Sequence, residues 1–580
     1  MQGASVHHGL LRSGGVARRT DQLILVSGSC WTSPEQEQLA SPEEILERWG
    51  PASRAGKPVL GGTYAIARCD EQLGELTLES DRFGGYPLYF RDCGDHFAAA
   101  SEMKFLLRPG SDAVDEDALA ELMSLGYLSG SRTLIKGISQ VRANQRLTVG
   151  ADGWKVESCP TPGYPRNRPL DDDAIVEYDA IIQRYLARFK RATSRFSLSL
   201  SGGLDSRLIA MAALRSELPV EAFTIGESGS LDARMANELA GRLGIPIKPY
   251  EVRGEGMAGW FHRLVWLSEG RVLPNHMHYM AAHFSRAVPP GPQLHGMIGE
   301  THLGGPFDNV ELLDGPPEAI RRVSLEYGKA MVYWPAASAA RVMQSSLHDL
   351  WVDARDRAQG LILSDMGFKG DYRDMLEFKL RYRVLGFTIP CLNSQVLPWT
   401  DLAAPFLDSD AFDFGATLKA EDVEDRRGQI AWGLKMMPGF ADLPRIKDGV
   451  MIPVRDDDPA AFSRGIRKLE RQIKWTHYVC RLSRGRVNPP FKRSFPVYGQ
   501  WYRKYPPVRR YVDDVLLSEQ CLDRGLFRRE GVKELLHKLR VGHNVWNAVG
   551  NLLLTEIFYR QFLDGAEIPD DPVTPFGMER

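Results

Sequence analysis

Short apolar runs separated by turn residues dominate the first 150 positions. Leu23-Ile24-Leu25-Val26, Thr63 to Arg68 and Leu76 to Glu79 each have strand length and are bounded by Gly- and Asp-bearing turns, the pattern of a sheet. Val114-Asp115-Glu116-Asp117 then leads into ALAELMSLGYL, which predicts an amphipathic helix with an acidic first turn, and RLTV with its ADG turn predicts one more strand. Residues 159–170, CPTPGYPRNRPL, carry four prolines and run into Asp171-Asp172-Asp173; neither sheet nor helix continues through such a stretch. Beyond it the period changes. A helix is expected from about 174 to 193, then the strand Phe196 to Leu200, a Gly-rich turn, a helix from Ser206 and a strand at Val220 to Ile225. Strand, helix and strand at this spacing predict a parallel α/β sheet. The expected division is a domain over 1–158, a linker over 159–173, a second domain over 174–567 and a tail over 568–580.

Length and composition narrow the class. A chain of 580 residues with 25% charged and 43% hydrophobic residues is that of an ordinary globular protein of two to four domains. Lys plus Arg (72) nearly cancels Asp plus Glu (74), so the whole-chain charge gives no reason to expect a nucleic-acid or membrane partner. The seven cysteines are scattered without a C-x-x-C pair, which predicts reduced thiols. No apolar stretch has signal-peptide or bilayer length, and a cytoplasmic soluble protein is the expectation. One region stands out locally: Arg464 to Arg510 holds fourteen Lys or Arg and one acid, Glu470, with Trp475, Tyr478, Trp501, Tyr502 and Tyr505 interleaved. Two readings stay open, an electrostatic footprint for an anionic partner and a solvated helical insert whose Arg stems cover apolar surface.

The chemistry-bearing stretch is Ser197-Leu-Ser-Leu-Ser-Gly-Gly-Leu-Asp-Ser-Arg207. A strand ends in Ser201-Gly202-Gly203 and a helix opens near Ser206, so glycine N–H groups and the positive helix end converge on one anion site. Asp205 would hold Mg²⁺ against phosphates there. The loop lacks the Lys of a Walker-type P-loop, which disfavours γ-phosphate transfer. SGGLDS instead resembles the signature of ATP pyrophosphatases, which cleave ATP between its α- and β-phosphates.

Read outward from that motif, the chain resembles the asparagine synthase family, in which a glutamine amidotransferase-like N-domain precedes a synthetase domain. LTLESDRFGGYPLYF (76–90) is similar to the family's D-R-x-G-x-x-P-L-Y segment, and HFAAASEMKFLL (96–107) to its A-S-E-x-K-x-L-L. Near the C-terminus, LLSEQCLDRGLFRREGVKELL and NLLLTEIFYRQFLDG resemble its closing helices. The resemblance implies an α+β, Ntn-hydrolase-like N-terminal domain, an α/β Rossmann-like ATP-pyrophosphatase domain with a helical C-terminal part, and ATP and Mg²⁺ as cofactors. It assigns Leu200, Ser201, Gly202, Gly203, Asp205, Ser206, Thr224, Ile225 and Gly296 to ATP and pyrophosphate, and Asp205 and Glu300 to the metal. Lys447 of Leu443-Pro444-Arg445-Ile446-Lys447 becomes the catalytic cation, with Lys435 as second candidate. Glu377 becomes the base that deprotonates the attacking amine.

The departures from the family are equally specific. Position 2 is Gln2 where the family's glutaminases expose a Cys, Ser27-Gly28-Ser29 stands for N-G-E, and Pro42 of Ser41-Pro42-Glu43-Glu44 stands for the Asp of S-D-x-E. Glutamine hydrolysis is therefore expected to be absent, with Cys30 a structural thiol. In HGMIGETHLGG (295–305), Glu300 replaces the metal-binding Asp and Thr301 a Glu, and Ala403 replaces the Arg of R-x-P-F-L-D. His295 and His302 are expected to be packed or solvated rather than ligating. These features leave three readings: a ligase joining a carboxylate to ammonia, a biosynthetic ligase using its substrate's own amine, as in members resembling β-lactam synthetase, and a catalytically reduced nucleotide-binding scaffold. Nucleic acid is a disfavoured partner, since the cysteine pairs of tRNA-thiolating relatives are missing, and a homodimer is open.

Overall fold

The computed structural model describes residues 14–19, 21–48, 60–159, 167–227, 229–276, 278–304, 334, 336–366, 386, 388–447, 450–454, 459–484, 487 and 497–566. The first part is antiparallel. Strands β1 (Gly14–Arg19), β2 (Gln22–Trp31), β3 (Gly61–Asp70), β4 (Glu75–Ser80), β5 (Tyr89–Asp92), β6 (Phe97–Ala100), β7 (Ser139–Gln140), β8 (Gln145–Gly150) and β9 (Gly153–Ser158) form two sheets. One runs β1-β2-β3-β4-β8-β9 and the other β6-β5-β7. The predicted helix is Glu116–Leu125, with Asp115 as its N-cap accepting from Ala118 N–H at 3.0 Å. β1 was not foreseen: GGVARR lacks the β-branched enrichment of a central strand and survives as an edge.

The second part is parallel. β10 (Phe196–Ser199), β11 (Val220–Gly226), β12 (Ile247–Glu251), β13 (Gln293–Leu294) and β14 (Leu402–Ala403) lie in the order β12-β11-β10-β13-β14. The order reverses between β10 and β13. Such a switch point opens a crevice at the carboxyl ends of the two strands, where ligands of open α/β sheets bind. Helices Leu204–Arg215 and Leu231–Leu243 follow β10 and β11, and helices from Tyr498 to Phe562 build the C-terminal part. No described helix is long and apolar enough to cross a membrane.

The proline-rich stretch marks a change in chain character but not a gap in packing. Trp31, Leu78, Phe83, Tyr86 and Leu147 of the antiparallel part share one core with Tyr178, Tyr185, Leu198, Leu208 and Phe406 of the parallel part. A second shared core joins Met103, Leu119 and Met123 to Trp260, Leu264 and Leu553. Polar contacts pin the same seam. Arg82 of the D-R-x-G segment pairs with Asp413 and lies 4.7 Å over the Phe412 ring. Arg188, buried on the helix Asp172–Ala192, donates to the carbonyls of Gln36, at 2.8 Å, and Pro34, and covers the Trp31 ring at 4.1 Å. Lys104 of the A-S-E-x-K segment pairs with Glu102 and, at 3.5 Å, with Glu269 across the seam, while its backbone N–H donates to Glu269 Oε1 at 2.8 Å.

Those three groups are nearly sealed, with side-chain exposures of 6% for Lys104, 14% for Glu102 and 5% for Glu269. Lys104→Met would leave two carboxylates buried without their cation. The expected loss is about 3–5 kcal/mol, read from urea unfolding of the whole chain. A loss below about 1 kcal/mol would show that the triad is not what fastens the two parts.

Candidate functional site

β10 runs into Ser201-Gly202-Gly203, and the helix Leu204–Arg215 begins at once with Gly203 as its N-cap. Its positive end therefore faces the turn. Ser201 N–H donates to Ser206 Oγ at 3.1 Å, the two hydroxyls lie 3.0 Å apart, and Gly203 N–H donates to Ser201 Oγ at 3.3 Å. Gly202 N–H donates to Asp232 Oδ1 at 3.2 Å. In this structure all three N–H groups of the turn are engaged by acceptors of the protein itself. Leu200, buried, donates its N–H to the Phe223 carbonyl at 2.9 Å, which sets it beside Thr224 and Ile225 near the end of β11.

Gly202 is required because another segment comes too close for a side chain. A Cβ there would lie 2.2 Å from Ile446 Cδ1, and Ile446 N–H donates to the Gly202 carbonyl at 3.1 Å. Residues 445–447 form strand β15 (Arg445–Lys447), paired antiparallel with β16 (Val450–Ile452). The hairpin carries the Lys447 backbone to the Gly-rich turn. Arg207, from the motif itself, fixes that approach by donating to the carbonyls of Phe440, Leu443 and Pro444 at 3.1, 2.8 and 2.7 Å. Burial and the neighbouring Arg445 lower its pKa to about 10, which leaves it charged at neutral pH.

The second loop meets the first at Asp205. A Cβ on Gly296 would lie 2.7 Å from the Asp205 carbonyl carbon and oxygen and 2.9 Å from Ser206 N, so only glycine permits this backbone contact. The loop continues into the short helix Gly299–Leu303, which bears Glu300. The Asp205 carboxylate, 24% exposed, accepts from Gln429 Nε2 and from Arg426 Nη1 at 3.3 Å. Burial raises its pKa to about 6; Arg426 opposes the rise and the charge of Glu300 adds to it. The structure thus brings Asp205 and Glu300 into one electrostatic site, with Arg426 as counter-charge. Asp425 and Arg426 both adopt left-handed backbone, with φ of 51° and 65°, and Arg426 N–H donates to the Gly304 carbonyl at 3.0 Å. Two consecutive non-glycine residues in that region are strained, as at sites where position outweighs comfort.

Other expectations fare differently. Glu377 and the Lys447 side chain lie outside the described residues. Lys435 is a correction: its Nζ pairs with Asp172 Oδ2 at 2.7 Å, on the helix that follows the linker, and it is not a second cation at the turn. His302 is boxed by Phe406 and Phe412, with ring centroids 5.9 and 5.7 Å away, and His295 Nδ1 accepts from Met297 N–H at 3.0 Å. Burial lowers their pKa values to about 3 and about 4, so both rings are neutral. Among the described residues, no cluster of three or more His, Cys, Asp or Glu forms a metal cage. Arg207, Asp232, Arg426, Gln429 and Ile446 were not foreseen as site residues. Arg207 sits inside the recognised motif; Arg426 and Gln429 lie more than 200 residues away in a segment without periodicity or a motif.

In the antiparallel part, Ser27, Gly28 and Ser29 lie in β2 opposite Ala65, Tyr64 and Thr63 of β3, and Gly28, with φ of 99°, sits where a Cβ would lie 2.3 Å from the Thr63 carbonyl oxygen. Ser41-Pro42-Glu43-Glu44 is a helix start: Ser41 N–H donates to Glu44 Oε2 at 2.8 Å and Glu44 N–H to Ser41 Oγ at 3.2 Å, a reciprocal capping box. The Cys30 thiol is buried, and burial with the charge of Glu44 pushes its pKa up to about 12.

The chain thus joins an antiparallel α+β part to a parallel α/β part with the Ser201-Gly202-Gly203 turn at its switch point. Residues 41–159 match the glutamine amidotransferase domain family and residues 177–290 the asparagine synthase family. Asparagine synthetase [glutamine-hydrolyzing] 3 of Bacillus subtilis is 32% identical over 163 residues, 27% of this chain and 26% of that protein. A putative asparagine synthetase [glutamine-hydrolyzing] of Mycobacterium tuberculosis is 30% identical over 166 residues, again 27% and 26%. The matches therefore span about a quarter of the length of these relatives. Among solved structures, a Bacillus subtilis glutamine phosphoribosylpyrophosphate amidotransferase complexed with ADP and GMP matches at 16% identity over 41% of this chain and 47% of that one, with a TM-score of 0.15. The matched segments, a glutamine amidotransferase domain followed by an asparagine synthase domain, support an asparagine synthase-family protein.

Gly296→Ala tests the loop contact directly. It is expected to cost about 1–3 kcal/mol, because backbone atoms must move, whereas Gly241→Ala, on an open helix face, should be neutral or stabilising by up to about 1 kcal/mol. Urea unfolding of both variants decides; equal effects would remove the close approach as a constraint.

Proposed function

We propose that the protein is an ATP-dependent, AMP- and diphosphate-forming amide ligase that adenylates a carboxylate and transfers the acyl group to ammonia or an amine, without glutaminase activity of its own. The observation that carries this reading is the convergence of the Ser201–Gly203 turn, Asp205, Glu300 and the Lys447 strand at the switch point of the parallel sheet. Ser201, Gly202, Gly203 and Ser206 bind the phosphates, and Leu200, Thr224 and Ile225 line the adenine side. A carboxylate raised by burial beside a second carboxylate suits a divalent cation. Asp205 and Glu300 are the residues that would hold Mg²⁺, which neutralises charge on the departing diphosphate when bound.

This chain's own groups do the rest by position and charge. The substrate carboxylate attacks the α-phosphorus in line, Lys447 meets the charge that develops, and Glu377 takes the proton of the attacking amine. Arg207 positions Lys447 through the 440–444 carbonyls. Arg426, 3.3 Å from Asp205, balances that carboxylate here and would be freed to meet the diphosphate were Asp205 to hold the cation.

Loss of glutamine hydrolysis rests on residues inside the chain rather than on its first positions. Ser27-Gly28-Ser29 lacks the amide and carboxylate of N-G-E, the Asp of S-D-x-E is replaced by a helix-starting Pro42, and the Cys30 thiol stays protonated at neutral pH. Ala403 in place of the family's Arg favours an acyl substrate other than aspartate. A substrate carrying its own amine is the second reading.

The test is diphosphate release from ATP over a panel of carboxylates, with ammonia, glutamine or no added donor. Asp205→Asn and Lys447→Ala are each expected to lower turnover about 100-fold or more, and chelation of Mg²⁺ to abolish it. Arg426→Ala should weaken nucleotide binding about tenfold, a change of about 1.4 kcal/mol, with Arg426→Lys recovering most of it. Glutamine-supported turnover that Cys30→Ala abolishes would refute the reading of the N-domain. ATP binding with no diphosphate from any carboxylate would leave a nucleotide-binding scaffold.

A further inference from the structure

The basic region singled out in the sequence is absorbed by none of the chemistry above. Its first half is a helix, Pro459–Leu482. One face packs on the protein: Ile466, Leu469, Ile473 and Val479 are partly covered and Thr476 and Cys480 are buried. The helix is fastened at both ends, since a Cβ on Gly465 would lie 2.4 Å from Val450 of β16 and one on Gly542 would lie 2.6 Å from Cys480 Sγ.

The opposite face is exposed and composed differently. At about 100° per residue, Arg464, Arg467, Lys468, Arg471, Trp475, Tyr478 and Leu482 fall within an arc of about 100° centred away from the packed side. All seven are exposed. Trp475, Tyr478 and Leu482 expose 60%, 55% and 67% of their surface, and Val487 continues the apolar end at 51%. Four of the five most exposed large hydrophobic residues among those described thus lie within thirteen positions. Soluble surfaces tolerate such residues singly but rarely in a row. From Arg464 to Arg484 there are seven Lys or Arg and the single acid Glu470, on a chain whose net charge is −2.

We propose that this face docks the protein on the surface of an anionic lipid bilayer, with Trp475, Tyr478 and Leu482 entering the headgroup boundary and Arg464, Arg467, Lys468 and Arg471 meeting lipid phosphates. Charge complementarity requires an anionic partner. The choice of a membrane rests on the aliphatic residues. Bases stack on Trp and Tyr but gain nothing from Leu482 and Val487, whereas a bilayer interface takes all four. The geometry agrees, because the exposed arc of a helix of about 27 Å between Arg464 and Leu482 offers a line of contact to a plane. This contact is peripheral, which neither a near-neutral whole-chain charge nor the lack of a spanning helix among the described residues opposes. It is independent of the catalytic reading.

Flotation of the full-length protein with phosphatidylcholine vesicles, with and without 30 mol% phosphatidylglycerol, tests it. The expected result is retention on anionic vesicles only, weakened as salt rises from about 0.05 to 0.5 M. The triple variant Trp475→Ala, Tyr478→Ala, Leu482→Ala and the charge variant Arg467→Glu, Lys468→Glu, Arg471→Glu should each reduce retention at least tenfold, while thermal unfolding stays at the parent midpoint because the substituted side chains lie on the outer face. A blue shift of the emission difference between the parent and Trp475→Phe on anionic vesicles would report insertion. Failure to float, equal retention on neutral vesicles, unchanged retention of the triple variant, or salt-sensitive binding to single-stranded polyuridine without vesicle binding would each overturn the proposal.

Discussion

A carboxylate at a loop crossing governs the architecture of the candidate site. Asp205 sits where the turn after β10 and the loop after β13 touch, partly buried and beside Glu300, so two negative groups share a pocket from which water is partly excluded. Such a group is held only if cations and donors are brought to it. Each neighbouring feature answers that need. Gly296 lets the second loop close onto the Asp205 backbone, Gln429 donates, and Arg426 accepts left-handed strain to place its guanidinium 3.3 Å away.

The backbone of strand β15, which bears Lys447, is placed by a chain of contacts that starts at the motif helix. Arg207 leaves the motif helix, ties down three carbonyls of residues 440–444, and thereby aims β15 at the Gly202 carbonyl. A guanidinium suits this task better than an ammonium, since its fixed fork satisfies several acceptors at once. The last residue of the recognised SGGLDSR stretch is therefore structural in its contacts and directive in its effect. It connects the phosphate turn to a hairpin 240 residues further along the chain.

How much of this was legible in the sequence depends on the range of the forces involved. The strand, turn and helix at 196–215 were readable because apolar run, glycines and helix start act over a few residues, and they fall within one or two residues of the expectation. The resemblance located the second loop by its glycines. Arg426 and Gln429 carried no signal, because their role exists only once the helix Arg427–Met436 is folded against Asp205. Lys435 misled for the same reason: nothing local distinguishes a lysine aimed at a phosphate turn from one aimed at Asp172. The shared cores were hidden as well, since the prolines at 160–169 advertise a boundary that packing disregards.

That shared packing explains why an amidotransferase domain without glutamine chemistry, on the reading proposed above, is retained. The motifs most faithful to the family in the antiparallel part are those that face the seam. D-R-x-G supplies Arg82 to Asp413, and A-S-E-x-K supplies Lys104 to Glu269. The positions that depart, Ser27-Gly28-Ser29 and Pro42, are a segment of β2 and the first residue of a helix. An unpaired Glu269 or an uncovered Trp31 and Phe83 would destabilise the parallel part, whereas the second set makes no such contact across the seam among the described residues. The core unique to this domain is small, built around Ile24, Val26, Ile45, Leu46, Tyr64 and Ile66, so most of its apolar surface is buried only in company with the parallel part. The two halves are thus one folding unit, and the chemistry of one is carried on the packing of both.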